Sequence, residues 1–303
     1  MEPLVVSSKL RGWRHMETNR IDKADYYIDR VTDLPPAPTV ATELLGLFGD
    51  PNHDIDRIVE LIGHDQSLTA NVLRRCNSAS FGGDGAASDM FEAVTRLGFY
   101  EVYCVVAALI GARAMSLGKA KGGMDVGSLW RHSVVTAVAA ATLARRVREA
   151  EAVAFTAGLL HDIGKQVFSS AEGATYANLL KQTGAYGRGL ADAEQTAFGV
   201  SHAVLGAKLL GRWGLPGSVV VTALHHHGSP RLAEPFAQMA ATVSLANDLA
   251  HQMIDQTPPT PDLASCNPDA VTLLQLSAED VGPLIEEIQT DLQRVESLLE
   301  MSL

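Results

Sequence analysis

Apolar residues in this chain recur at intervals of three and four over almost its whole length, with breakers between the periodic segments. This spacing places them on one face of an α-helix, whereas a half-buried β-strand would show strict alternation. Hydrophobic residues make up 47% of the 303 residues, which is enough for one large or two small globular units with real cores. The sequence therefore predicts an all-α fold.

Breaks in this periodicity divide the chain into four predicted parts. Glycines and lysines separate two apolar segments in "SLGKAKGGMDVG", residues 116–127, and prolines mark a second break in "TPPTPD", residues 257–262. Pro35, Pro36 and Pro38 open the first compact region. The predicted parts are an N-terminal extension (1–30), an N-terminal helical lobe (31–117), a second helical lobe (118–256) and C-terminal helices (257–303).

The charge, the cysteines and the apolar runs exclude several classes of protein. A formal net charge of -11 argues against nucleic acid or an anionic membrane surface as a partner, because phosphates repel such a chain. Cys76, Cys104 and Cys266 form no CxxC pair, so a disulfide framework or a thiolate zinc site is not indicated. The apolar run Val102–Ile110 is far shorter than the roughly 20 residues of a membrane span. We therefore expect a cytoplasmic protein whose partners are small molecules or proteins.

Residues with metal-ligand chemistry collect on the apolar faces of the helices predicted between residues 128 and 255. His202 lies near a predicted helix N-terminus, where the helix dipole favours the neutral imidazole. Asp248 lies in a small and apolar helix, where a lone carboxylate is costly to bury unless it is paired or bound to a cation. His225 falls off the apolar face. The seven inward-facing residues are His132, His161, Asp162, His202, His226, His227 and Asp248.

Two explanations of these inward-facing residues remain open. A single inward histidine is more often a hydrogen-bonded core residue than a ligand, and an empty histidine cluster is the alternative here. Seven such residues would leave many buried donors and acceptors to be satisfied without water. Divalent cations satisfy them together, since neutral imidazole and carboxylate suit iron, zinc and manganese. The sequence therefore predicts a metal site in this lobe.

The same residues resemble the metal-binding pattern of the HD superfamily of metal-dependent phosphohydrolases. "LPPAPTVATELLGLFGDPNHDIDRIVELIGHDQSLTANVLRRCNSASFG" and "GLLHDIGK" are similar to the HDOD domain, the HD-related output domain of bacterial signalling proteins, over about residues 31–255. The second helical lobe, residues 118–256, is called the HD-like metal-binding lobe from here on. The resemblance implies that Asp162 bridges two metal ions in this lobe. One ion would be held by His132, His161, Asp162 and Asp248, and the other by Asp162, His202, His226 and His227.

The catalytic residues implied by the resemblance are Asp162 and Lys165. Lys165 follows Asp162 by three positions and could reach a substrate phosphate, and a solvated lysine at a helix end is the alternative. The His226–His227 doublet is followed by "GSP" and not by the GYP tripeptide of the HD-GYP branch, so hydrolysis of cyclic di-GMP is not indicated.

Three functions remain open, and the first is preferred. The chain is predicted to be a signal-transduction protein with protein partners and two divalent transition-metal ions, iron foremost, with manganese, zinc or nickel as alternatives. The second is an active phosphohydrolase or phosphodiesterase acting on a nucleotide or cyclic dinucleotide, with a phosphate-containing small molecule as its ligand. The third is a metal-free structural module. An enzyme acting on a polyanion usually supplies several cations, and only Lys165, Arg212 and Arg231 lie near the predicted ligands in sequence.

Overall fold

The described part of the chain is built from helices. The computed structural model describes residues 18–31, 43–44, 47, 55–77, 87, 89–116, 124–183, 188–256 and 261–299. Within these ranges there are α-helices, one short 3₁₀-helix and connecting turns, but no β-strand. The predicted all-α fold is confirmed.

Among the described residues, five helices precede the HD-like metal-binding lobe. The first lies within the predicted extension, and the other four lie within the predicted N-terminal lobe. In chain order they are α1 (Thr18–Asp29), α2 (Ile55–Gly63), α3 (Gln66–Cys76), α4 (Met90–Leu97) and α5 (Phe99–Ser116).

The remaining helices form the HD-like metal-binding lobe and the C-terminal segment. A 3₁₀-helix, Pro230–Ala233, lies between α11 and α12. The α-helices are α6 (Val126–Val147), α7 (Glu151–Leu160), α8 (Ile163–Thr183), α9 (Arg188–Phe198), α10 (His202–Arg212), α11 (Gly217–His225), α12 (Ala237–Asp255), α13 (Pro268–Leu274) and α14 (Ala278–Leu299).

Helix α6 is the centre of the second lobe. It packs against α7, α12 and α14, so residues from Ser133 to Ala144 are buried on every side of the helix. Asp125 caps its N-terminus by accepting a hydrogen bond from the backbone N–H of Ser128 at 3.2 Å. Helix α5 contacts α6 and α7 and so joins the two lobes. His132 is thereby held in the first turns of a helix with no solvent-facing side over most of its length.

The C-terminal helix covers one side of the HD-like metal-binding lobe. Helix α14 packs on α5 and α6. Arg145 of α6 pairs with Glu287 at 3.0 Å and with Asp291 at 3.3 Å. These partly exposed pairs fix the orientation of α14 and add little stability each.

Helix α1 packs on the second lobe rather than standing apart from it. It contacts α8 and α10, and the Tyr27 ring lies edge-on to Phe168 with centroids 5.3 Å apart. Asp25 pairs with Lys208 at 3.1 Å and with Arg212 at 2.6 Å. The last part of the predicted N-terminal extension is therefore an ordered helix docked on α10.

Several sequence features lie wholly or mostly outside the described residues. These are the proline group at Pro35, Pro36 and Pro38 and most of both predicted linkers, 116–127 and 257–262. The four predicted parts of the chain therefore stay predictions. None of the helices in the described ranges combines the length and apolarity needed to cross a membrane.

Candidate metal centre

The His161–Asp162 doublet lies at a junction between two helices. Helix α7 ends at Leu160 and α8 begins at Ile163, and His161 caps α7 with helical backbone angles, φ -54° and ψ -35°. The sequence pattern indicated a doublet within one helix. The difference arises because a two-residue junction separates the helices, and Asp162 there faces His132 of α6 and His202 of α10.

Two glycines beside the doublet allow the helices that surround it to touch. A Cβ atom on Gly158 of α7 would lie 2.8 Å from Cα of Ala137 in α6. A Cβ on Gly164 of α8 would overlap the carbonyl oxygen of His202 at the start of α10. Only glycine permits such close backbone approach. These contacts bring the doublet against His132 on one side and His202 on the other.

Four side chains form the first part of the cluster, which we call the four-ligand half: Asp162, His202, His226 and His227. Their potential ligand atoms all lie within 4.8 Å of one another. Nε2 of His202 is 3.4 Å from Nε2 of His226, 3.0 Å from Nε2 of His227 and 3.2 Å from Oδ1 of Asp162. Tetrahedral zinc, with metal–nitrogen bonds of about 2.0–2.1 Å, places its ligand atoms roughly 3.3 Å apart. The separations therefore suit one metal ion.

His132, His161 and Asp162 form the second part, the three-ligand half, whose potential ligand atoms also lie within 4.8 Å of one another. Oδ2 of Asp162 is 3.3 Å from Nε2 of His161 and 3.8 Å from Nε2 of His132. Its other oxygen, Oδ1, is the one that faces His202. The carboxylate of Asp162 thus directs one oxygen toward each half of the cluster.

Hydrogen bonds at Nδ1 orient three of the histidine rings. His161 donates to the carbonyl oxygen of Gly158 at 2.7 Å, and His226 donates to that of Ala223 at 2.6 Å. Nδ1 of His202 is 2.6 Å from a carboxylate oxygen of Glu194. Carbonyl and carboxylate partners of this kind hold metal-binding histidines in one tautomer. In each ring the Nε2 atom is left facing Asp162.

The resulting arrangement brings a lone pair of His226 close to the carboxylate of Asp162. Burial lowers the pKa of His226 to about 3, so its Nε2 carries a lone pair, and this atom lies 3.6 Å from Oδ1 of Asp162. Burial by itself raises the pKa of Asp162, but His161 and Lys165 lower it more, and the carboxyl stays ionised. Oδ1 is buried and accepts no hydrogen bond of good geometry from the described residues. A cation would remove the repulsion between these atoms, and the nitrogen and oxygen donors fit a divalent transition metal.

Glu194 reverses the protonation preference expected for His202. Burial lowers the pKa of His202, but the Glu194 carboxylate and Asp162 raise it more, so the net shift is upward. The sequence pattern favoured a neutral ring on account of the helix dipole. Glu194 also accepts a hydrogen bond from the Tyr176 hydroxyl at 2.8 Å. Glu194 was not identified from the sequence. It lies eight positions before His202 in an ordinary amphipathic helix, where a fully buried glutamate leaves no distinct pattern.

Asn247, and not the predicted Asp248, faces the three-ligand half. The side-chain oxygen of Asn247 is 3.0 Å from Nε2 of His132. Asp248 belongs to neither half of the cluster, and its carboxylate accepts a hydrogen bond from the backbone N–H of Asn267 at 2.7 Å. Successive residues of a helix point about 100° apart, so a shift of one position exchanges the two side chains. In this structure Asn247 rather than Asp248 lies beside His132, and the role of Asp248 as a ligand stays a prediction.

Asp248 instead supports the segment that follows the histidine doublet. The amide group of Asn267 donates to the carbonyl oxygen of Gly228 at 2.8 Å and to the Ser244 hydroxyl at 3.1 Å. Asn267 is 5% exposed and caps α13. This network connects α12, α13 and the residue after His227.

Lys165, His225 and His251 complete the surroundings of the cluster. Lys165 is only 2% exposed, and its Nζ atom is 2.6 Å from Oδ2 of Asp162, whereas the sequence suggested a phosphate contact or a solvated lysine. His225 lies in neither half. His251 was missed: its ring stacks on His132 with centroids 4.2 Å apart, and burial lowers its pKa to about 4. His251 lies one turn after Asn247 on the same face of α12, and this spacing could have identified it from the sequence.

The helical fold and this cluster together define a class. Histidines and one shared carboxylate gathered from α6, the α7–α8 junction, α10 and the end of α11 make this a helical protein with a buried cluster able to hold metal. Similarity to a known protein family identifies the chain more specifically. The chain belongs to the HDOD domain family, which matches residues 34–229.

Three relatives set the family context. An uncharacterized protein of Treponema pallidum is 27% identical over 245 residues, and the match spans 80% of this chain but only 47% of that protein. An HDOD domain protein of unknown function from Geobacter sulfurreducens has a similar structure, with a TM-score of 0.71, 23% identity and coverage of 94% and 98% of the two chains. A provisionally named signal transduction protein from Marinobacter aquaeolei VT8 has a TM-score of 0.69 and 22% identity, with coverage of 93% and 64%.

Proposed function

We propose that this protein is a cytoplasmic signal-transduction regulator whose cluster holds two divalent transition-metal ions bridged by Asp162. The observation that carries the proposal is the carboxylate of Asp162, with one oxygen facing each half of the cluster. Iron is the first candidate, followed by manganese, zinc and nickel, all of which accept imidazole and carboxylate ligands. The Marinobacter relative, named for signal transduction, supports the same role, in which the output is exerted on protein partners.

Burial of the cluster supports regulation over catalysis. His132, His161, Asp162, His202 and His226 are at most 3% exposed. A catalytic metal needs an open coordination position that substrate can reach. In addition, the ammonium group of Lys165 is engaged by Asp162 and is not directed to solvent. The metal ions would therefore act as a structural or sensory element within the lobe.

A metal-dependent phosphohydrolase or phosphodiesterase is the second candidate. It is favoured by the shared carboxylate, because two-metal hydrolases hold their ions about 3.5–4 Å apart. When bound, such a pair of ions supplies an activated water and stabilises charge on a phosphate. In that function Asp162 would be the bridging ligand and Lys165 a contact to the phosphate of a nucleotide or cyclic dinucleotide.

Metal analysis followed by an activity screen separates these functions. The protein is purified from medium supplemented with iron and manganese, and its metal content is measured by mass spectrometry. The metal-loaded protein is then offered nucleotides and cyclic dinucleotides. Bound metal without turnover is the expected result. Bound metal with robust turnover would establish the second candidate, and protein free of transition metal would identify a metal-free structural module.

A further inference from the structure

The two halves of the cluster differ in charge. In the four-ligand half, Oδ1 of Asp162 faces histidine nitrogens alone among the described residues. In the three-ligand half, Oδ2 of the same carboxylate lies 2.6 Å from the ammonium nitrogen of Lys165. An ammonium group therefore already pairs with Asp162 on one side, whereas on the other side the carboxylate faces only histidine rings.

Lys165 is a fixed part of the three-ligand half. It follows Asp162 by three positions on the first turn of α8 and is among the largest fully buried side chains of the protein. A buried ammonium group needs a partner of opposite charge, and removing that partner is strongly unfavourable. A metal ion that enters the three-ligand half must compete with Lys165 for Oδ2 of Asp162.

Asn247 weakens the same half. Its amide oxygen, 3.0 Å from Nε2 of His132, occupies the place next to that ring. An amide oxygen contributes a dipole where a carboxylate would contribute a full negative charge. Since the number of charged ligands sets the affinity of a cation site, this half has fewer ligands and less charge than the four-ligand half.

We propose that the two halves fill in order. The first ion binds tightly to Asp162, His202, His226 and His227. The second binds more weakly to the three-ligand half, and its entry displaces the Lys165 ammonium group from Asp162. The occupancy of the second half, and with it the position of Lys165, then follows the free concentration of the divalent ion. This inference rests on the proposed metal centre and adds a difference between its two positions.

Titration of the full-length protein with Mn²⁺ tests the order of filling. Chelator-treated protein is titrated by calorimetry, and bound manganese is measured after desalting. For the wild type we expect a tight first ion and a second that binds at least about tenfold more weakly. Lys165→Met keeps an unbranched side chain without the charge and should tighten the second ion at least about tenfold. Lys181→Met, at an exposed lysine beyond the kink at Gly173, should leave both constants unchanged.

A second variant keeps the test valid if Lys165→Met fails to fold, which circular dichroism and thermal melting will show. Asn247→Asp retains the lysine and adds a carboxylate beside His132, and it should also tighten the second ion about tenfold. Two ions of equal affinity in the wild type, or no change of the second constant in Asn247→Asp, would overturn the order of filling while leaving the metal centre in place. A wild type that binds no manganese, iron or zinc would overturn the proposed metal centre itself.

Discussion

The N-terminal lobe and the HD-like metal-binding lobe bury charged groups in different ways. In the N-terminal lobe, Arg75 and Glu101 form a buried pair at 3.4 Å in which a donor meets an acceptor. In the second lobe, histidine Nε2 atoms and the carboxylate of Asp162 converge on common points. The first arrangement pairs two opposite charges of the chain, whereas we propose that a cation completes the second. A buried polar cluster therefore points to a ligand when its potential ligand atoms converge on one point.

Loss of the shared carboxylate of Asp162 should have the largest effect on metal binding by the second lobe. Asp162→Ala removes a ligand from both halves, so we expect both metal ions to be lost, as measured by mass spectrometry of the purified variant. His202→Ala should weaken mainly the ion of the four-ligand half. His225→Ala is the matched control and should retain the wild-type metal content, because His225 lies outside both halves. Loss of metal in the His225 variant but not in the Asp162 variant would contradict the ligand assignment.

The next largest effect is expected from placing a methyl group in the close helix contact at Gly164. A Cβ atom there would overlap the His202 carbonyl and lie 2.8 Å from the backbone nitrogen of Gly206. Gly164→Ala should lower the free energy of unfolding by about 3 kcal/mol, as measured by urea denaturation. Gly211→Ala in α10 meets nothing within 4 Å and should be neutral or slightly stabilising. Equal effects of the two substitutions would contradict the close backbone approach.

A glutamate from each lobe allows the two kinds of buried charge to be compared directly. Glu194→Gln removes the carboxylate that orients His202 and should lower the affinity for the first metal ion about tenfold to a hundredfold. Glu101→Gln breaks the buried pair with Arg75 and should lower stability without changing metal affinity. Calorimetric titration with Mn²⁺ and thermal melting of both variants measure the two properties. Glu101→Gln with an altered metal affinity would show that the lobes are not independent in this respect.

The smallest effect is expected at Asn267, which lies outside both halves of the cluster. Asn267→Ala removes the bonds to Gly228 and Ser244 that hold the segment after His227. We expect metal affinity to fall by up to about tenfold with a modest loss of stability. Asn77→Ala removes a similar amide pair with Ala87 in the N-terminal lobe and should leave metal affinity unchanged. Unchanged affinity in Asn267→Ala would show that this network is purely structural.

The fold class and the collection of the cluster could be predicted from the sequence because both depend on helical periodicity. A repeat of three and four identifies which face of a helix is buried, and six of the seven predicted residues do come together. The same periodicity did not separate Asn247 from Asp248, since both are polar and adjacent. It also placed His161 and Asp162 inside a helix, because a two-residue junction with helical angles at His161 leaves the pattern unbroken.

What could not be predicted depends on how neighbouring helices pack around a charged side chain. Glu194 and Lys165 are charged residues that sequence reasoning places at the surface by default. Their burial follows from the packing of α8, α9 and α10 around Asp162 and His202. No local pattern reports that a charge has found its partner on another helix.

The docking of α1 gives α10 two ends with different attachments. The first residue of α10 is His202, in the cluster, and its last, Arg212, is tied to Asp25 and Asp29 of α1 at 2.6 Å each. Eleven helical residues form a rod about 16 Å long. A protein that binds α1 would thus be connected through α10 to His202, a candidate metal ligand. High salt, which screens exposed ion pairs, would weaken the attachment of α10 to α1.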